Sequence, residues 1–301
     1  MLNKISYQNF SLKILFAVLA TLWKYMLELF YLLFSKDFGY YGIIYAPRDW
    51  QENTIAYSSV ILLSLLIPVK ISRPSTLILV LLFLFCYIPI ATVFSVNEFH
   101  PAIAFYGLML SFAIMLLLQY VSPFQENNKS SYFSLDIMQP IVMAFFAFSF
   151  LSVTAYYGFS LKWVNFSEVY DTRAEYAEQS NRLIGYLYGW LSHVVNIAIL
   201  LFAVNRKKYA VAVVALLIQV YLYTLGGHKS VLLIIPFVFW VWLGTKHFQK
   251  YLSLYLLLTL FTITLVLLIS DASVAQYSNA SSIFIRRNLL LPAQIHFHFY
   301  R

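Results

Sequence analysis

The chain has 301 residues, of which 61% are apolar or aromatic and only 11% are charged. Soluble domains carry about a quarter of their residues as Asp, Glu, Lys and Arg, so this composition excludes a protein whose whole surface faces water. The single cysteine, Cys86, excludes an internal disulfide framework, and the strand-period alternation of an outer-membrane barrel is missing.

Long apolar runs predict the elements. A helix crossing a ~30 Å hydrocarbon core needs about 20 residues. Such runs cover about 12–34, 54–69, 75–95, 101–121, 137–158, 183–204, 209–225, 230–245 and 251–270. The stretch 288–301 is apolar in part and reads as a partial tenth span. The expected fold is therefore all-α: one transmembrane domain over 1–301, with about nine complete spans and one long loop at about 159–182. The first run is not a cleaved signal peptide, being too long and interrupted by Lys24 and Glu28, which lie one turn apart and pair.

Loop charge orients the bundle. With the N-terminus in the cytoplasm, the inner segments hold ten cations, including the tight clusters Lys70/Arg73 and Arg206-Lys207-Lys208, against Glu126 and Asp136. The outer loops hold eight cations against nine acids. The net positive charge thus lies on the inner side, and the basic balance reports orientation rather than nucleic-acid binding.

Eight cations nevertheless remain outside against that bias, and three outer segments gather them. The loop from Gly158 to Arg182 mixes Trp163, Phe166, Tyr170 and Tyr176 with Glu168, Asp171, Glu175 and Glu178. From Asn165 onward its helix formers predict a helix with Asp171, Glu175, Glu178 and Arg182 on one face. Asp171 and Glu175 repel there by a few tenths of a kcal/mol. The same residues also read as a polar interfacial helix. The second segment, Thr224-Leu225-Gly226-Gly227-His228-Lys229-Ser230, pairs a glycine turn with a helix start and a lysine, an anion-binding pattern. It reads equally as an ordinary turn capped by Ser230. The third is Arg286-Arg287, suited to forked phosphate binding or to anchoring at head groups. His193 falls in the outer half of the sixth run and reads as a site residue or a satisfied core histidine. His296 and His298 alternate in an extended-looking tail and make no metal site. No Walker A, HExxH or GxSxG motif is present.

These segments resemble those of bacterial O-antigen and capsular polysaccharide polymerases (Wzy-type oligosaccharide repeat-unit polymerases). The residues that carry the resemblance are Val169-Tyr170-Asp171-Thr172-Arg173, the spacing of Arg173 and Gly189 in an RX15G pattern, and the Gly226-Gly227-His228-Lys229-Ser230 turn. Lys229 stands where members often carry arginine. The resemblance implies a metal- and cofactor-independent glycosyltransferase of the bacterial inner membrane, working at its periplasmic face. Undecaprenyl-pyrophosphate-linked oligosaccharides would be donor and acceptor, membrane lipid the surroundings, and a chain-length regulator and a flippase the protein partners. It implies catalytic roles for Arg173 and for a carboxylate among Glu168, Asp171 and Glu175. It implies pyrophosphate contacts from Arg182, Lys229, Arg286 and Arg287, and sugar stacking on Trp163 and Tyr170. Members usually continue for several more helices, so the resemblance also implies a C-terminally truncated member. An O-antigen ligase shares the donor and the large loop, and a transporter or flippase of the same lipid-linked oligosaccharide is a further alternative. Paired glycine or proline breaks, the mark of many transporters, are not seen.

Overall fold

The computed structural model describes residues 2–71, 73–121, 135–159, 181–274 and 276–300, with side chains from residue 10 and, after the second gap, from residue 140. Among the described residues all regular secondary structure is helical, apart from one isolated bridge between Ala46 and Asn97. Eight helices are long and apolar enough to cross a membrane. The chain is a polytopic helical membrane protein.

Each predicted run is a helix. They are α1 (Leu2–Ser35), α2 (Trp50–Leu66), α3 (Pro74–Val96), α4 (Ala102–Val121), α5 (Leu135–Tyr157), α6 (Arg182–Asn205), α7 (Tyr209–Gly226), α8 (Lys229–His247) and α9 (Leu252–Val274). A tenth helix, α10, covers 279–298. The second run yields a helix of 17 residues, about 25 Å long and the one not counted among the eight. Its ends are set locally. The Asp49 carboxylate accepts from the Glu52 N–H at 2.9 Å, and Ile67 turns extended before Pro68.

Three helices contain a π-helical stretch: Phe83–Tyr87 in α3, Leu191–Val195 in α6 and Ser282–Leu290 in α10. Two of them are explained by proline. Pro89 and Pro292 lack an N–H and crowd the carbonyl four residues back, and a widened turn just before each relieves the clash. The stretch in α6 precedes no proline, and its cause is a side-chain network described below.

The chain divides into two compact units, 1–125 with 244–301, and 126–243. In the first, α1 is central and packs on α2, α3, α9 and α10. Its buried residues Phe16, Ala20, Trp23, Leu27, Phe30 and Phe34 recur every three or four positions. Trp23 donates to Thr264 on α9 at 2.9 Å. In the second, α5, α6, α7 and the first turn of α8 enclose Val153, Leu187, Tyr188, Leu191, Leu222 and Val231. Large apolar side chains elsewhere point outward, among them Val18 and Leu62 in the first unit and Phe148, Leu151 and Leu217 in the second. Water would make such surfaces costly, whereas lipid covers them.

Where the sequence suggests a partial tenth span, α10 instead makes contacts with residues at the ends of the first unit's helices. Arg286 packs on Phe38, Gln294 bonds to Gly42 and Tyr31, and Phe297 stacks on His100. All but Tyr31 lie in the linkers after α1 and α3. The tail with His296 and His298, extended-looking in sequence, is helical because its apolar residues recur at helical spacing: Leu289, Ala293 and Phe297 are all buried.

Candidate functional site

The ends of the helices that the charge pattern assigns to the outside carry the candidate residues. In the first unit, buried charge is handled in two ways. Lys24 is fully buried and meets Glu28, Ser95 at 2.8 Å and the face of Tyr57 at 3.6 Å. The Tyr57 hydroxyl donates to the second Glu28 oxygen at 2.6 Å. Arg48 pairs with Glu52 at 2.6 Å, donates to the carbonyls of Phe94 and His100, and lies over the Phe94 ring. Both cations are neutralised and saturated, so the Lys24–Glu28 pair expected from sequence is present and structural in character.

Arg286 differs. It is 5% exposed and its guanidinium lies 3.8 Å from the Phe38 ring centroid. Its Nε and Nη2 both donate to one hydroxyl, that of Ser282, at 3.1 and 2.8 Å. Among the described residues no carboxylate lies within ion-pairing distance of it. Burial first, and the adjacent Arg287 second, push its guanidinium below the ordinary arginine value. Arginine remains a cation under these conditions, so a positive charge is held here with no ion-pair partner among the described residues. Around it stand Phe38, Tyr40, Tyr41 and Tyr277, with Phe38 5.4 Å from Tyr277 and Tyr40 4.3 Å from Tyr41. Tyr40 is 75% exposed, so the cage opens to the surface. Desolvation and then the Asp37 carboxylate raise the Tyr277 phenol above its ordinary range, which keeps it neutral beside the arginine. The sequence treats Arg286 and Arg287 as a pair. Adjacent helical positions face different directions, which buries the first and exposes the second.

In the second unit the described side chains include no aspartate or glutamate at all. The exposed Arg182 occupies the first position of α6 after its cap, Asn181, and Lys229 the first of α8. A helix dipole disfavours a cation at its N-terminus by about 0.3–1 kcal/mol. Two such placements in a unit without described acids gather positive potential at one end, where an anion would be favoured.

The glycine turn has conformational reasons of its own. Gly227 is left-handed, φ +60°, and caps α7 with its N–H on the Tyr223 carbonyl at 2.9 Å. A Cβ on Gly226 would meet the Tyr188 hydroxyl at 2.7 Å. Ser230 is not the cap: it lies inside the first turn of α8, 3.3 Å from His193 Nε2. The structure therefore joins two features that the sequence lists separately, the sixth-run histidine and the Gly-Gly-His-Lys-Ser turn. Gly189 contributes its carbonyl, 3.3 Å from His193 Nδ1.

A buried amide brace fixes this junction. The π-helical stretch of α6 releases the Ser192 carbonyl, and Gln219 Nε2 on α7 donates to it at 2.8 Å. The same nitrogen donates to the Val231 carbonyl in the first turn of α8, also at 2.8 Å. Asn196 donates to Gln219 Oε1 at 2.6 Å and to the Ala215 carbonyl at 2.9 Å. This network accounts for the one widened turn that proline does not.

Glu168, Asp171, Arg173, Glu175, Trp163 and Tyr170 lie outside the described residues, as does the helix expected from Asn165 onward. Among the described residues no group of three His, Cys, Asp or Glu could hold a metal ion. Sequence reasoning missed the aromatic cage and the amide brace. The cage had a signal, the run Phe38-Gly39-Tyr40-Tyr41-Gly42 in the loop after α1. Gln219, the one glutamine in the seventh apolar run, was a signal for the brace. Comparison with protein-family models, with curated proteins and with solved structures found no match for the chain.

Proposed function

We propose that the chain is a multi-pass glycosyltransferase of the bacterial inner membrane that polymerises undecaprenyl-pyrophosphate-linked oligosaccharide repeat units at the periplasmic face. In this reading nine helices, α1 to α9, cross the membrane with the N-terminus in the cytoplasm, and α10 lies at the periplasmic end. The observation that carries it is Arg286, a buried cation with no described carboxylate partner, set among exposed tyrosines. Sugar-pyrophosphate transfer asks for that combination. The departing pyrophosphate gains negative charge as the sugar bond breaks, and a fixed cation in a dry setting stabilises it. Aromatic faces suit the apolar faces of sugar rings. On the resemblance alone, Arg182, Lys229 and Arg287 are further pyrophosphate contacts, and Arg173 acts with Glu168, Asp171 or Glu175 in the transfer. The apolar outer surface of the helices accommodates the polyprenyl chain.

The test uses the full chain purified into lipid nanodiscs and supplied with undecaprenyl-pyrophosphate-linked repeat units. Expected is a ladder of longer lipid-linked chains, abolished by Arg173→Ala with insertion unchanged. Transfer only when lipid A core is offered would identify a ligase. Movement of the lipid-linked unit across a vesicle without any new glycosidic bond would identify a transporter. Either result overturns the polymerase reading.

A further inference from the structure

Resting on that reading, we infer that His193 is the proton acceptor for the attacking sugar hydroxyl, in place of the loop carboxylates, with Gln219 and Ser192 as positioning residues. The inference begins with the histidine's tautomer. Nδ1 faces two oxygens, the Gly189 carbonyl at 3.3 Å and the Ser192 hydroxyl at 2.8 Å. A carbonyl only accepts. The Ser192 hydroxyl has one proton, and it donates that proton to the Tyr188 carbonyl at 2.7 Å. Both oxygens therefore accept from Nδ1–H, which leaves the unprotonated lone pair on Nε2. That lone pair points at a hydroxyl, Ser230 Oγ, at 3.3 Å. The arrangement is that of a general base: one ring nitrogen anchored as donor, the other presented to an O–H.

The brace makes the presentation rigid. Gln219 ties the carbonyl of Ser192, next to the histidine, to the carbonyl of Val231, next to Ser230. It is fully buried, as are Ser192 and Asn196. His193 itself is half-buried and Ser230 is exposed, so an acceptor sugar can reach the Nε2 side. Among the described residues the titratable and charged groups on the outer parts of the surrounding elements are Tyr156 and Tyr157 on α5, Arg182, Tyr186 and Tyr188 on α6, Tyr221 and Tyr223 on α7, and His228 and Lys229 at the start of α8. None of these described groups is an acid.

The step balances without a further reactant. The acceptor hydroxyl, bonded to Nε2 in exchange for the Ser230 hydroxyl, forms a bond from its oxygen to the anomeric carbon. The bond from that carbon to the pyrophosphate oxygen breaks, and the lipid pyrophosphate leaves with the electron pair. The hydroxyl proton passes to His193 Nε2 and returns to solvent or to the departing pyrophosphate.

The experiment measures single-turnover polymerisation in nanodiscs against pH, for wild type and for His193→Gln, beside lipid-linked donor binding. Wild type is expected to slow as acid protonates the imidazole. His193→Gln should lose about 100-fold or more in rate, keep donor affinity and lose that acid limb. A variant with the wild-type rate, or with a lower rate and an unchanged acid limb, overturns the inference while the polymerase reading stands. Wild type that forms no glycosidic bond overturns both. Should His193→Gln fail to insert, Ser192→Ala decides. It keeps the imidazole and removes one of the two acceptors for Nδ1–H. A several-fold loss with a shifted acid limb supports the role, and an unchanged profile overturns it.

Discussion

The two units solve the same problem, polar groups inside an apolar bundle, in opposite ways. The first uses ions. Lys24 with Glu28, and Arg48 with Glu52, are pairs whose charges cancel and whose remaining hydrogen-bonding positions go to Ser95, Tyr57 and backbone carbonyls. The second uses neutral amides and hydroxyls. Gln219, Asn196 and Ser192 are fully buried and bind one another and the carbonyls around them. The difference teaches how to separate structural charge from available charge. An ion pair that is closed on itself holds helices together and has nothing left for a ligand. A cation whose described neighbours are rings and a hydroxyl, as at Arg286, or a lone pair turned toward an exposed hydroxyl, as at His193, retains unspent capacity.

That distinction breaks most visibly at Lys24. Removing one partner of a buried pair strands the other charge, so Lys24→Ala is expected to destabilise the first unit by about 3–5 kcal/mol. Thermal unfolding of detergent-purified protein reads this directly. The double change Lys24→Met with Glu28→Leu should recover much of the loss, because no charge is then left unpaired. If the double variant is no more stable than the single one, the pair does more than cancel charge.

Arg286 should respond in the other sense. Arg286→Gln removes a charge that has no described protein anion, so stability should hold or rise while polymerisation falls about 10²–10³-fold. A fall in unfolding temperature as large as that of Lys24→Ala would place Arg286 with the structural ions instead. The smallest effect is expected at the neutral brace. Gln219→Leu leaves the carbonyls of Ser192 and Val231 without that donor and should cost about 1–3 kcal/mol. In membrane interiors such hydrogen bonds are worth less, and a figure near the lower end is expected. Because the brace sets the distance from His193 to Ser230, the rate should fall further than the stability. Equal falls would make Gln219 a packing residue only.

Much of the fold was legible along the chain. Nine apolar runs became nine helices, since a helix satisfies its own backbone in lipid and needs only length and apolarity to be recognised. The Lys24–Glu28 pair was legible for the same local reason, four residues on one helix face. The candidate site was legible in part. Lys229, Arg286 and His193 were found as residue types out of place, but their partners were not. Phe38 and Arg286 are far apart in sequence, and no local pattern announces that α10 turns back over the end of α1.

The sequence by itself therefore determined that the chain is a helical membrane protein and where its helices run, because hydrophobic length is a property of consecutive residues. It also singled out Lys24, Lys229 and Arg286 as cations to be placed. Only the tertiary structure decided which of those cations are spent. It brought Ser95 and Tyr57 to Lys24 and the Phe94 and His100 carbonyls to Arg48, buried Arg286 among rings and exposed Arg287. It also turned the unprotonated nitrogen of His193 toward Ser230 through a widened turn held by Gln219. Those outcomes depend on distances between residues remote in sequence, and packing alone sets them.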